Sequence, residues 1–183
     1  MQFKKIAFLI ISVTLLFTGC GSKDEKKEII KEKQTKFTLQ TNDLNSLNIE
    51  VKDKQVSIQE LQGKAVLLNF WATWCPPCRA EIPHLNNLKK KYKGQLEIVG
   101  FNLGKKDGTL LSQEELNRFI EEYEIGYPIT NSNDNFEIAN LVGPVVSIPT
   151  MFLIDPSGKV VQKYVGIVPE EMMELDINNA LGK

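Results

Sequence analysis

The chain has 183 residues, enough for one domain with a substantial core. Its 22 basic and 23 acidic side chains leave a formal net charge of −1, so there is no electrostatic case for nucleic acid as a partner. An apolar share of 42% is ordinary for a globular protein, and three cysteines leave at least one outside any internal disulfide.

Lys4 and Lys5 precede an apolar stretch from Ile6 to Phe17. About a dozen residues is too short to cross a bilayer as a helix and suits the apolar region of an export signal. The stretch runs into Leu16-Phe17-Thr18-Gly19-Cys20, which resembles the bacterial lipobox. In that motif a diacylglycerol-modified cysteine becomes the first residue of the mature protein. Phe17 departs from it, Leu being commoner three places before the cysteine. The resemblance implies a lipoprotein signal peptide at 1–19 and lipidation of Cys20. The alternative is an ordinary cleaved signal with Cys20 incidental. Residues 20–36 would then hold the anchor and a linker dense in Lys, Glu and Asp, which cannot bury a core and reads as a solvated spacer. A domain tethered outside the cytoplasm lives where disulfides persist.

From Phe37 the chain is patterned. Phe37-Thr38-Leu39 and Leu47, Ile49, Val51 alternate as the strands of an N-terminal hairpin, and Val56-Ser57-Ile58 is a further strand before a turn at 60–64. Ala65 to Trp71 is a continuous apolar run, a strand buried on both faces. Arg79 to Lys93 reads as a helix with Leu85, Leu88 and Tyr92 on one face, a kink at Pro83 and a stop at Gly94. Leu96 to Leu103 is the next strand. Ser112-Gln113-Glu114-Glu115 is a capping box opening a helix with Leu116, Phe119, Ile120 and Tyr123 as its apolar stripe. Tyr127-Pro128-Ile129 is a short extended piece, and Asp134 to Val142 a helix stopped by Gly143-Pro144. Thr150 to Ile154 is a strand, Asp155-Pro156-Ser157-Gly158 a turn, and Lys159 to Val165 its antiparallel partner. Pro169 suits the first position of a last helix that buries Met173, Ile177, Ala180 and Leu181. Parallel strands joined by helices, ending in an antiparallel pair, predict an α/β fold: a mixed central sheet flanked by helices.

Chemistry concentrates at Trp74-Cys75-Pro76-Pro77-Cys78, between the buried strand and the first helix. A helix N-terminus leaves N–H groups unpaired and carries partial positive charge. That field stabilises a thiolate, the reactive form of cysteine. A second thiol one turn on completes the minimum apparatus for thiol–disulfide exchange.

The whole pattern resembles the thioredoxin superfamily, in particular its exported TlpA/ResA/CcmG-like branch. The residues that carry this are Gly63-Lys64, Asn69-Phe70-Trp71-Ala72-Thr73-Trp74-Cys75-Pro76-Pro77-Cys78, Glu81-Ile82-Pro83, Ser147-Ile148-Pro149-Thr150 and Leu153-Ile154-Asp155-Pro156-Ser157-Gly158. They span nearly all of 37–183, the thioredoxin-like domain, and leave 104–131 as a central βα insertion. The resemblance implies a redox disulfide Cys75–Cys78. Cys75 would be the exposed nucleophile, with a pKa lowered into the roughly 3.5–7.5 range of such sites. Cys78, more buried, would resolve the mixed disulfide. Pro149 would be cis, facing the dithiol, and Trp74 and Ile148 would line the substrate groove. Asn69 stands where classical thioredoxins have a buried acid. Asn cannot relay a proton, and the branch implies Glu81 as the substitute base; otherwise Glu81 merely favours the helix dipole.

By this resemblance the protein is a thiol-disulfide oxidoreductase of the bacterial cell envelope, a lipid-anchored monomer facing the periplasm or exterior, with no cofactor. Its partners would be exported protein thiols and disulfides, apocytochrome c among them, with a membrane electron donor of the DsbD/CcdA type. An oxidant or isomerase of exported proteins is the alternative. A lipid-anchored binding module with a vestigial dithiol is the reading of another class. A zinc site lacks a second ligand pair, since Cys20 is remote and His84 is the only histidine and reads as a surface residue. A peroxiredoxin needs Thr-x-x-Cys, and Cys75 occupies the Thr position.

Overall fold

A computed structural model describes residues 35–183. The expected signal peptide, Cys20 and the linker as far as residue 34 lie outside the described residues. β1 (Lys36–Gln40), β2 (Ser46–Lys52) and β3 (Gln55–Ile58) form an antiparallel sheet in that order. The expected hairpin is its first two strands, with Phe37 opposite Ile49 and Leu39 opposite Leu47. Lys36, assigned to the linker by its charge, already pairs with Glu50 as the first residue of β1. Period-two alternation turns Phe37, Leu39, Leu47, Ile49, Val51, Val56 and Ile58 to one buried face.

A turn of 3-10 helix (Gln59–Leu61) leads to β4 (Ala65–Trp71), all seven residues of which are buried. β4 is the centre of a second sheet. On one side it pairs in parallel with β5 (Leu96–Asn102), which pairs with β6 (Ile129–Thr130). On the other it pairs antiparallel with β7 (Thr150–Ile154), which pairs with β8 (Val160–Val165). Alternate residues of β4 therefore feed two cores. Ala65, Leu67 and Trp71 face α1 (Pro76–Lys91), α2 (Gln113–Glu122) and α4 (Glu170–Ala180). Val66, Leu68 and Phe70 face α3 (Asp134–Val142) and the three-stranded sheet.

Two helix starts, and the course of α1 at Pro83, differ from the sequence expectation. α1 begins at Pro76, three residues before Arg79, because Cys75 caps it and a proline needs no N–H in the first turn. It continues unbroken past Pro83 to Lys91. Pro83 is on the exposed side, while Ile82, Leu85 and Leu88 are buried, so packing offsets the missing backbone bond. Pro169 is the N-cap of α4 rather than its first residue, and of the expected buried set Met173 and Ile177 are fully enclosed while Ala180 and Leu181 are partly so. The capping box at Ser112 is formed in full: Ser112 Oγ accepts from the Glu115 N–H at 3.1 Å and Glu115 returns the bond to the Ser112 N–H at 2.7 Å.

The small sheet is stitched to both edges of the large one. Thr41 bridges to Thr130, and Val56 N–H donates to the Gly158 carbonyl at 2.7 Å. Gly158 turns there at φ +90°, and a Cβ on it would lie 2.9 Å from the Val56 carbonyl oxygen, so this close approach demands glycine. A second polar anchor is fully buried. Asn135 Nδ2 donates to the carbonyls of Asn102 (2.8 Å) and Thr130 (3.0 Å), and Asn102 Oδ1 accepts from the Gly104 N–H at 2.8 Å. It fixes where the chain leaves β5 and begins the insertion.

Gly100 sits opposite Asn69 in the β4–β5 ladder. A Cβ there would overlap Ile129 Cδ1 and lie 2.9 Å from Trp71 Nε1 and 3.3 Å from Tyr127 Cε2. Ile129, Trp71 and Tyr127 are all buried and have nowhere to go. Gly100→Ala should therefore cost about 1–3 kcal/mol of stability, read as a lower urea midpoint at unchanged slope.

Candidate active site

β4 ends at Trp71, and Ala72 to Trp74 carry the chain over the sheet edge into α1. Cys75 is the N-cap, in extended conformation (φ −94°, ψ 104°), and its sulfur accepts from the Cys78 N–H at 3.2 Å. Cys75 and Cys78 are joined in a disulfide with Cα atoms 5.3 Å apart. The expected contrast in exposure is absent: Cys75 is 2% exposed and Cys78 3%. The cause is the roof over them. The Ile148–Pro149 bond is cis, and the Ile148 carbonyl oxygen lies 3.6 Å from Cys75 Sγ. A disulfide sulfur carries no proton, so this is a packing contact rather than a hydrogen bond. The roof is pinned by Thr150 Oγ1, which donates to the Ser147 carbonyl at 2.7 Å, and by the Gly166 N–H, which donates to the Pro149 carbonyl at 2.8 Å.

The rim is unevenly built. Trp74, 41% exposed, donates from Nε1 to the Gly104 carbonyl at 3.1 Å. On the side of the cis-proline loop Val146 and Ile167 stand open to solvent and Ile148 is half-buried. Trp71, by contrast, is enclosed and packs on Phe119 of α2 at 5.3 Å between ring centroids.

Glu81 lies one turn beyond Cys78 on the same helix and is 1% exposed. One carboxylate oxygen accepts the Val168 N–H at 3.4 Å; the other, Oε2, has no partner. Burial pushes its pKa up to about 7; the Val168 N–H and the charge of His84 pull only partly the other way. A carboxyl that titrates near neutrality, behind the inner sulfur, is suited to hold or release one proton. Asn69 is buried on the same side of β4, its Oδ1 unpartnered and its side chain against the Tyr127 phenol. Burial, with the nearby Glu81 charge, raises the Tyr127 pKa, so that phenol stays neutral. His84 is on the surface, as its sequence position suggested, with Nδ1 3.1 Å from Glu170 Oε2.

Sequence reasoning thus named Cys75, Cys78, Glu81, Pro149, Trp74 and Ile148, and the fold brings all six to one end of the central sheet. It missed Val168, Tyr127 and Gly104. The first and last act through backbone atoms, which no residue type advertises. Tyr127 reaches Asn69 across 58 residues of chain and only the β5–β6 pairing delivers it. Among the described residues, no group of three or more His, Cys, Asp or Glu could hold a metal ion.

A disulfide capping a helix under a cis-proline loop, on a mixed sheet of this order, defines a thioredoxin-like thiol-disulfide oxidoreductase. The chain belongs to the AhpC/TSA family, whose model matches residues 22–163. It is similar to the thiol-disulfide oxidoreductase ResA of Bacillus cereus, 34% identical over 95% of this chain and 92% of the relative. ResA of Oceanobacillus iheyensis is 31% identical over 97% of this chain and 87% of the relative. Among solved structures, a thioredoxin-family thiol:disulfide interchange protein of Chlorobium tepidum is 26% identical, with a TM-score of 0.64 over 81% of this chain and 94% of that one. StoA of Bacillus subtilis shares the fold at 21% identity and a TM-score of 0.58, over 76% and 94% of the two chains.

Because the Glu81 pKa is raised by folding, the folded protein holds a proton that the unfolded chain has lost between about pH 4.5 and 7. That contribution is present at low pH and disappears as pH rises through about 7. Oxidised protein should lose on the order of 3 kcal/mol of stability from this group between pH 4 and 8. Glu81→Gln should flatten that part of the urea-midpoint profile.

Proposed function

We propose that this protein is a lipid-anchored reductant of disulfides in exported proteins, working outside the cytoplasm. The observation that carries the chemistry is the Cys75–Cys78 disulfide at the start of α1, with a raised-pKa carboxyl behind it. In the reduced protein the Cys75 thiolate attacks one sulfur of a substrate disulfide. A Cys75–substrate bond forms and the other substrate sulfur leaves as a thiolate. Cys78, its proton passed to Glu81, then attacks Cys75 Sγ and expels the second substrate thiolate. Two electrons have moved to the substrate, and the protein is left as the Cys75–Cys78 disulfide. A membrane dithiol donor of the DsbD/CcdA type would return the electrons.

Each other residue has a place in this scheme. The α1 N-terminus favours the attacking thiolate. Pro149 offers no N–H that could capture it, and the adjoining backbone with Trp74 and Ile148 receives the substrate strand. Pro77 removes one further donor near the sulfurs, which makes the thiolate less comfortable and the protein a readier electron donor. The relatives named thiol-disulfide oxidoreductase support the exchange chemistry, and the charge-dense tract after Cys20 supports a tether; the resemblance to the exported branch puts forward apocytochrome c disulfides as the substrate class. Residues 1–19 would be removed, the residues from 20 up to β1 would serve as the anchored tether, and the domain from Lys36 onward would be catalytic. Among the described residues no helix is long and apolar enough to cross a membrane.

Three measurements test the reading. Cys78→Ala should accumulate a mixed disulfide with exported proteins through Cys75, and Cys75→Ala should accumulate none. Titration against glutathione should give a potential more negative than about −200 mV; a value near −120 mV, that of a strong oxidant, would overturn the reducing direction. Cys20→Ala should move the protein from the membrane pellet to the soluble fraction.

A further inference from the structure

The exchange reaction makes no use of the loop that follows β5, yet this loop forms one wall of the active-site mouth. Strand order decides where it stands. β5 and β7 flank β4 on opposite sides, so the Gly104 loop at the end of β5 and the Ile148–Pro149 loop before β7 lie on opposite sides of Cys75. The Gly104 loop is firmly built. Lys105 N–H donates to the Thr109 carbonyl at 2.8 Å, Gly108 N–H to the Lys105 carbonyl at 3.0 Å, and Thr109 N–H and Oγ1 donate to Asp107 Oδ1 at 3.0 and 2.7 Å. Gly104 turns at φ +75°, where a Cβ would meet the Thr109 carbonyl oxygen at 2.5 Å. The loop is held to Trp74 through the Gly104 carbonyl, and this sets Lys106 Nζ 5.8 Å from the centre of the Trp74 ring.

Charge divides the mouth in two. Lys106 is exposed and makes no ion pair among the described residues; Lys105 is paired with Glu115 at 2.8 Å, and Asp107, kept ionised by its hydrogen bonds from Thr109, is a carboxylate on the same loop. Arg79 is likewise without a carboxylate there, its guanidinium donating to the Thr73 carbonyl at 3.2 Å. The first turn of α1 has no acidic residue, and Glu81 is buried. On the opposite side, residues 144–149 and 166–168 contain no charged side chain, and the nearby Glu170 is held by His84. One wall is thus aromatic with a small cationic excess, Lys106 and Arg79 against Asp107; the other is an apolar loop whose first carbonyl, that of Pro144, accepts from Lys163 Nζ at 2.6 Å.

We propose that Lys106 is a specificity-determining residue. The groove takes an extended cysteine-bearing segment with a carboxylate side chain on the Trp74 side of its reacting sulfur and an apolar side chain on the Ile148 side. The assignment rests on the groove being the substrate site, as proposed above. An exposed lysine on an aromatic face attracts an anion weakly at equilibrium but steers encounter at low salt, so the effect belongs in kcat/KM.

The test uses the full chain, solubilised and reduced. Two synthetic peptides carry one cysteine blocked as its disulfide with 2-mercaptoethanol and differ only in glutamate or lysine two residues to either side. At low ionic strength the glutamate peptide should be reduced with about fivefold higher kcat/KM, and the ratio should approach one near 0.5 M salt. Lys106→Glu should lower the low-salt ratio at least threefold. A wild-type ratio below threefold, or a smaller fall in the variant, overturns the proposal. If the wild-type protein reduces neither peptide, the reading of the groove as substrate site fails, and this proposal with it.

Discussion

Everything at the active site depends on β4 being buried on both faces. Seven consecutive residues shielded from water leave no freedom in where the strand ends, and the end is where Cys75 must sit. A strand half exposed to solvent could slip or fray. This one is paired on both edges and packed between two hydrophobic cores, so the turn at Ala72 to Trp74 and the first residue of α1 are delivered to one place. The disulfide is the chemically active end of a strand buried along its whole length and paired on both edges.

The same constraint explains the acid beside the dithiol. α1 lies against the β4 face that carries Asn69 and Trp71, and the turn that puts Cys78 inward puts Glu81 inward as well. A carboxyl there loses its water and receives one backbone N–H in return, so it keeps a proton far above the usual carboxylate range. That N–H comes from Val168, on the segment that leads into α4. The protonation of Glu81 is therefore tied to the docking of the last helix as well as to its own position on α1. Asn69, Trp71 and Glu81 each retain an unpartnered buried polar atom, which concentrates polarity under the dithiol in an otherwise apolar core.

The strand order also separates the two walls of the mouth. Parallel pairing to β5 brings in a loop that is long, polar and basic. Antiparallel pairing to β7 brings in a short apolar loop with the cis peptide. Neither loop is near Cys75 in sequence, and beyond Trp74 and Arg79 the asymmetry between the walls arises from the sheet, not from the dithiol motif.

How much could be read beforehand follows from these distances along the chain. The strands, the helices and their order were legible because period-two and helical patterns are local, and α3 and β7 fell on the residues expected. The capping box at Ser112 and the turn at Asp155 were legible for the same reason. Cys75, Cys78 and Glu81 were legible because their chemistry and spacing lie within one turn and a half of helix. The regular pattern of α1 was legible only from Arg79, although the cysteines were already expected at a helix start; the helix takes in the double proline because the first turn needs no N–H donors. The exposure of Cys75 was misjudged because the roof over it comes from Ile148, 73 residues away. The Val168 bond, the Tyr127 contact and the position of Lys106 over Trp74 were invisible for that same reason. By itself the sequence determined the reactive groups and the elements that carry them, because those depend on neighbours a few residues apart. Tertiary structure alone decided their burial, their ionisation and the charge of the groove around them, because each depends on backbone atoms and side chains that only the completed sheet brings together.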